Sequence, residues 1–187
     1  MQVELQVPRF RSEVTPQGLR IVIPAGRNWL ILLFLLAWLG GWVMGEVTVS
    51  KQLLNSTAKT PIAFLSFWLV GWTIGGTLAA GAVLWQLAGR EVLTIDSMSL
   101  LYRIEAFGIG RSRSFRAADV KNFRSADYAF SPFMNQRTWF PPIVGAGYGP
   151  VAFDYGARTF RIAPSLDEAE ARILVSEMTS RLPNKPL

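Results

Sequence analysis

Glu105, Asp119, Asp127 and Asp154 are the acids that could serve general acid–base chemistry, yet no two of them are spaced as a working pair. The chain contains no His and no Cys. That removes the commonest general base, thiol catalysis, disulfides and Cys- or His-ligated zinc, haem or iron–sulfur centres. No Gly-rich phosphate loop leads into a Lys, and no nucleophile elbow is present. The glycines of GAGYGP at 145–150 are loop composition. The residues therefore point to a non-catalytic protein, with no cofactor and no metal site expected.

What remains is the chemistry of binding. Phe130, Phe133, Trp139, Phe140 and Tyr148 lie in the stretch 128–150, which is rich in Pro and Gly and carries Arg137 as its one charge. Large rings with little charge around them mark protein or membrane contacts, so these five are the expected partner-binding residues. The plainer alternative is that the rings fold back into the domain core or onto the bilayer. Arg111, Arg113, Arg116, Lys121 and Arg124 cluster around a single acid, Asp119. Anionic lipid attracts such residues by about 1 kcal/mol each near a surface, and these five are the expected lipid-headgroup residues. Here the plainer alternative is a solvated basic face. From Arg90 onward, 13 basic residues face 10 acidic ones, too mild an excess for a nucleic-acid footprint.

The elements that must position these residues follow from where charge disappears. Only 17% of the 187 residues are charged, below the roughly 25% of a soluble domain. Residues 28–45 and 60–89 carry no charge at all. A helix needs roughly 20 apolar residues to cross the hydrocarbon core. The first run just reaches this and the second exceeds it, so the pair reads as a helical hairpin with an outer loop at 46–59. The strand-like residues ahead of the first run, with no small-x-small site after it, predict a retained span rather than a signal peptide. Arg11, Arg20 and Arg27 precede the hairpin, and Arg90 and Arg103 follow it, against Lys51 and Lys59 between the runs. The positive-inside rule then places both termini in the cytoplasm.

Small residues recur at helix-face spacing: Ala37, Gly41 and Gly45 on the first run, Gly71, Gly75 and Ala79 on the second. They are the expected helix-packing positions, joining the hairpin to itself or to another membrane protein. Trp29 and Trp85 fall near one end of the spans and Trp42 near the other, as an interfacial belt would place them. Trp38/Trp42 and Trp68/Trp72 are i,i+4 pairs, each on one face. Lipid anchoring and packing explain them most simply; a quinone, a pigment or a partner helix could also lie against them.

Residues 1–27 read as strands, with Ser12–Pro24 a strand, turn and strand. Alternation continues through EVLTI, LLYRIEA, RSRSF and DVKNFRS. Two further strands flank Gly156-Ala157. Ser165 and Glu168 match a capping box that opens a closing helix over 165–182, with Leu166, Ala169, Ile173, Leu174 and Met178 as its apolar face. The prediction is an α+β membrane protein. It combines a two-helix transmembrane hairpin with a small antiparallel β domain at 90–187, which the N-terminal strands join to make about seven strands in all, capped by a C-terminal helix.

The stretch FDYGARTFRIAPSLDEAEARILVSEM and the order of elements over 91–182 resemble a pleckstrin-homology-like domain, a bent sheet or barrel with a helix across one end. The landmarks IPAGRNW, FWLVGWTIGG and LWQLAGREVL complete a layout similar to a broad group of bacterial two-span membrane proteins with such a cytoplasmic domain. In architecture it is also similar to the photosystem I assembly factors of hypothetical chloroplast reading frame four. The resemblance implies a class that assists or joins larger complexes in an inner membrane, cytoplasmic or thylakoid-type. The partners expected are membrane lipid and a protein of a membrane complex, or further copies of the chain as a homo-oligomer, but no nucleic acid.

Overall fold

The computed structural model describes residues 8–16, 18–55, 61–126 and 149–179. The chain is α+β. Strands β1 (Arg11–Thr15) and β2 (Gly18–Pro24) form an antiparallel hairpin in which Thr15 faces Gly18. β2 alternates cleanly, with Leu19, Ile21 and Ile23 buried and Arg20 exposed, because the pleat sends successive side chains to opposite faces.

Helix α1 (Trp29–Leu54) starts at Asn28, whose Oδ1 accepts the free backbone N–H groups of Leu30 at 3.1 Å and Ile31 at 3.2 Å. Helix α2 is Ile62–Ala88. At 1.5 Å per residue each is about 40 Å long, and both are long and apolar enough to cross a membrane. They pack through Leu32 and Leu35 of α1 and Ala79, Ala82 and Val83 of α2. The outer loop expected at 46–59 is helical as far as Leu54. A charge at Glu46 ends an apolar run but not a helix, because extending an existing helix costs far less than starting one.

α2 runs into β3 (Gly89–Ile95) with no residue between them. Then follow β4 (Ser99–Ala106), β5 (Ile109–Arg116), a 3₁₀ turn at Ala117–Asp119, β6 (Val120–Ser125), β7 (Val151–Tyr155) and β8 (Arg158–Ile162). The described residues thus hold eight strands rather than about seven. They form an antiparallel five-stranded sheet ordered β1-β2-β3-β4-β5 and a three-stranded sheet ordered β6-β7-β8. β2 pairs with β3 from Leu19↔Ile95 to Pro24↔Arg90, so strands from either side of the helices are neighbours.

Helix α3 (Glu168–Thr179) closes the described chain. Its cap is not the expected Ser165/Glu168 pair. Asp167 Oδ1 accepts the Glu170 N–H at 2.8 Å and Glu170 Oε2 accepts the Asp167 N–H at 3.1 Å, the same reciprocal box two residues later. The later start places Ala171, Leu174 and Met178 in the core and leaves Ala169 and Ile173 exposed.

One core joins both sheets and α3, built from Leu19, Ile21, Leu93, Leu100, Phe153 and Leu174 among others. Phe115 of β5 meets Phe153, Tyr155 and Phe160 edge-on at centroid distances of 5.0, 5.3 and 4.9 Å, which sews one sheet to the other. Phe153→Ala is expected to cost about 3–5 kcal/mol. Thermal unfolding of the purified chain in detergent, followed by circular dichroism, checks this; an unchanged midpoint would contradict a shared core.

Candidate functional site

The corner where the helices meet the sheet is built from four short segments. Arg27 donates from Nε to the Gln86 carbonyl at 3.2 Å and from a terminal guanidinium nitrogen to the Leu87 carbonyl at 3.3 Å. These carbonyls lie in the last turn of α2, where no intrahelical donor reaches and where a cation suits the helix dipole. The Gln86 side chain, itself buried, accepts the Asn28 N–H at 3.1 Å, and the Ala25 N–H donates to the Gly89 carbonyl at 3.0 Å. Trp85 is 3% exposed and packs beneath Gly89, where a Cβ would fall 2.4 Å from its ring. It is therefore part of this corner, not the lipid-facing belt residue expected from its position.

Two residues into β3, Glu91 points inward between Ile23 of β2 and Ile104 of β4 and has no exposed surface. Its Oε2 accepts the Tyr102 hydroxyl at 2.5 Å and its Oε1 accepts the Ser165 N–H at 3.1 Å. Burial raises the Glu91 carboxyl above its ordinary range, and the hydrogen bonds from Ser165 and Tyr102 offset part of that. Burial, and then the neighbouring Glu91, push the Tyr102 phenol well above 10. The contacts continue outward. The Ser165 carbonyl accepts an Arg9 guanidinium N–H at 2.8 Å, and Arg9 also grips both oxygens of Glu170 at 2.9 Å. Burial works against ionisation of Glu170, but the Arg9 and Asp167 hydrogen bonds outweigh it and hold this carboxyl below its ordinary range. The network ties the segment before β1, the α3 cap and the sheet centre together. Period-2 alternation in GREVLTI, which groups Glu91 with Leu93 and Ile95, was the signal that could have singled it out.

Two of the acids first considered for catalysis, Glu105 and Asp154, are held by neighbouring side chains. Glu105 lies between Arg90 and Arg103, each with a nitrogen 2.6 Å from one of its oxygens. Asp154 accepts hydrogen bonds from Thr159, Asn122 and Arg124, which lower its carboxyl to about 2. Asp119 is exposed beside Arg116, and Asp127 lies outside the described residues. No group of three metal-ligating side chains occurs among the described residues.

The helices are joined by a Thr73 hydroxyl that donates to Glu46 Oε1 at 2.7 Å and by an indole clasp. Trp42 Nε1 donates to the Trp72 carbonyl at 2.9 Å, and Trp72 Nε1 lies 3.4 Å from the Trp42 carbonyl. Gly76, four residues after Trp72, leaves that carbonyl uncovered: a Cβ there would sit 1.9 Å from the Trp42 ring. Of the expected packing positions, Ala79 is buried and Gly45 lies against Trp72, with its would-be Cβ at 3.5 Å. Ala37 and Gly41 are exposed, as is Gly71, and nothing lies within 4 Å of the Cβ position of Gly41, Gly71 or Gly75. A strict four-residue stripe drifts off a 3.6-residue helix face, so the true contact moves to Gly76. Gly71 and Gly75 instead floor an open groove of about 290 Å³, walled by Trp38, Phe67, Trp68 and Trp72.

The expected lipid-headgroup residues are spread over two sheets. Arg111 and Arg113 lie on one face of the edge strand β5 and Arg116 on the other; Lys121 and Arg124 belong to β6, where Arg124 is held by Asp154 at 3.1 Å. All five are exposed. Phe130, Phe133, Trp139, Phe140 and Tyr148 lie outside the described residues. The chain matches no protein-family model, no curated protein sequence and no solved structure.

Two outcomes follow from the geometry. Glu91→Ala orphans two buried donors and is expected to cost about 2–6 kcal/mol, from 1–3 for each, whereas Glu91→Gln is expected to keep the fold. Because folding raises this carboxyl, its contribution is whole below its unfolded value near 4.5 and is lost as pH climbs through the raised value. Unfolding midpoints across pH should therefore fall less steeply on the alkaline side in Glu91→Gln; parallel curves would contradict this. On the helices, Gly76→Val should expel the Trp42 indole and lower thermal stability in detergent, while Gly41→Ala and Gly71→Ala leave it within about 1 kcal/mol or raise it. Equal losses at all three sites would contradict the clasp.

Proposed function

We propose that this chain is a non-catalytic, membrane-anchored accessory or scaffold subunit. α1 and α2 cross the membrane as a hairpin, and the β domain with both termini lies on the cytoplasmic side of an inner membrane, cytoplasmic or thylakoid-type. One observation carries the reading: the helices leave from adjacent strands, β2 and β3, through a corner closed by Arg27, Asn28 and Gln86. A domain joined this way is presented in a fixed orientation rather than swinging on a tether, which suits a docking platform. β2–β5, β6–β8 and α3 supply four strands, three strands and a closing helix, the element order of a pleckstrin-homology-like domain. In that description the hairpin is an insertion in the first loop and β1 an added edge strand.

The partner proposed is a protein of a larger membrane complex, held through the aromatic stretch 128–150 and the hairpin. Anionic-lipid sensing is a second reading, favoured by the exposed Arg111 and Arg113 on the edge strand β5. The test is purification of the tagged full-length chain in mild detergent, with mass spectrometry of what accompanies it. A parallel preparation carries Phe133→Ser, Trp139→Ser and Phe140→Ser. A stoichiometric companion that the variant loses is expected. Recovery of the wild-type chain alone would overturn the stable-subunit reading.

A further inference from the structure

The β4–β5 hairpin ends in two exposed apolar side chains, Phe107 at 70% and Ile109 at 83% exposure. Sheet register places them beside the point where α2 ends. Gly89, the first residue after α2, pairs with Ala106, and Ala106 pairs with Ile109. With strands about 4.8 Å apart, Ile109 is about 10 Å across the sheet from the end of the helix. The opposite end of the sheet also carries an exposed apolar residue, Met98 at 78%, in the β3–β4 turn.

The turn itself is unusual. Phe107 and Gly108 both have positive φ, 52° and 80°, in a two-residue hairpin connection. Asn or Gly suits the first position; a bulky side chain there is strained, and this one gains no burial in return. Arg103 braces the turn by donating to the Gly108 carbonyl at 3.0 Å. Arg111, two residues along β5 from Ile109, is exposed on the same face. An apolar tip followed by a cation at about 7 Å matches the succession from the acyl boundary to the phosphates of a bilayer.

We propose that Phe107 and Ile109 enter the interfacial layer of the membrane that α1 and α2 cross, with Arg111 at the level of the lipid phosphates. The occupant of this surface is the lipid bilayer. The tip is a third foothold beside the two helices, and it fixes the tilt of the β domain on the membrane. The inference rests on the hairpin spanning the membrane, and the test separates the two.

The chain has no cysteine, so single nitroxide labels can be placed at Phe107→Cys, Ile109→Cys, Met98→Cys and Phe34→Cys in the full-length protein. Phe34 is an exposed residue of α1. The chain is reconstituted in vesicles of phosphatidylglycerol and phosphatidylcholine, and relaxation by oxygen is compared with that by a water-soluble nickel chelate. For a tip lying 5–10 Å into the interface, the oxygen-to-nickel ratio at 107 and 109 should exceed that at 98 by about fivefold, in the direction of 34. Ratios at 107 and 109 equal to that at 98, with 34 still lipid-like, would overturn the foothold and leave the span standing. A water-like ratio at 34 as well would overturn both. Phe107→Asn, which suits the positive φ and preserves the turn, should raise nickel access at a label on 109; no change would likewise count against the tip as a wedge.

Discussion

The last carbonyls of a helix need donors from outside it, and α2 ends directly against a strand: the Gly89 N–H reaches the Trp85 carbonyl, and the carbonyls beyond it have no loop to supply them. The structure meets this demand from the other helix's approach. Arg27 covers the Gln86 and Leu87 carbonyls, and Gln86 in turn holds the Asn28 N–H at the start of α1. Each helix end is thus completed by the other. The same contacts hold β2 beside β3, with β1 on one side of that pair and β4 and β5 on the other. Glu91 extends the tie inward. A carboxyl with no exposed surface has to have partners, and it finds them on β4 and just ahead of α3. The helices, the sheet and the closing helix are therefore not independent modules.

The two helices solve a different problem. In the proposed membrane setting, lipid tails are as apolar as leucine, so burial gives no reason for one helix to choose another. Close approach and polar contacts remain. The Trp42 indole lies against Gly76 and donates to the Trp72 carbonyl, which combines both. The stacked Trp68 and Trp72, with centroids 4.8 Å apart, then leave Gly71 and Gly75 as the floor of an outward groove rather than as packing surface.

Much of the charge on the β domain is spent internally. Arg90 and Arg103 share Glu105, Arg9 closes on Glu170, and Arg124 closes on Asp154. Exposed cations remain along β5, an edge strand whose charged residues also discourage pairing with another chain. Glu105 and Asp154, two of the acids with which the sequence reading began, are among the partners that these arginines hold.

Local patterns were legible in the sequence alone. Two uncharged runs read as two helices long enough to cross a membrane, alternation marked the strands from Glu91 to Phe115, and an acidic, capped segment marked the closing helix. Each of these depends on residues a few positions apart. Only the tertiary structure decided where partners came from elsewhere in the chain. It drew the Ser165 N–H to Glu91, and the cap passed from Ser165/Glu168 to Asp167/Glu170. It also turned Trp85 into the corner and selected Gly76 rather than Gly41 or Gly71 as the contact glycine. Periodicity says which side of an element is apolar, but not what faces it. Helix crossing and strand register set that, through hydrogen bonds and close contacts between residues distant in sequence.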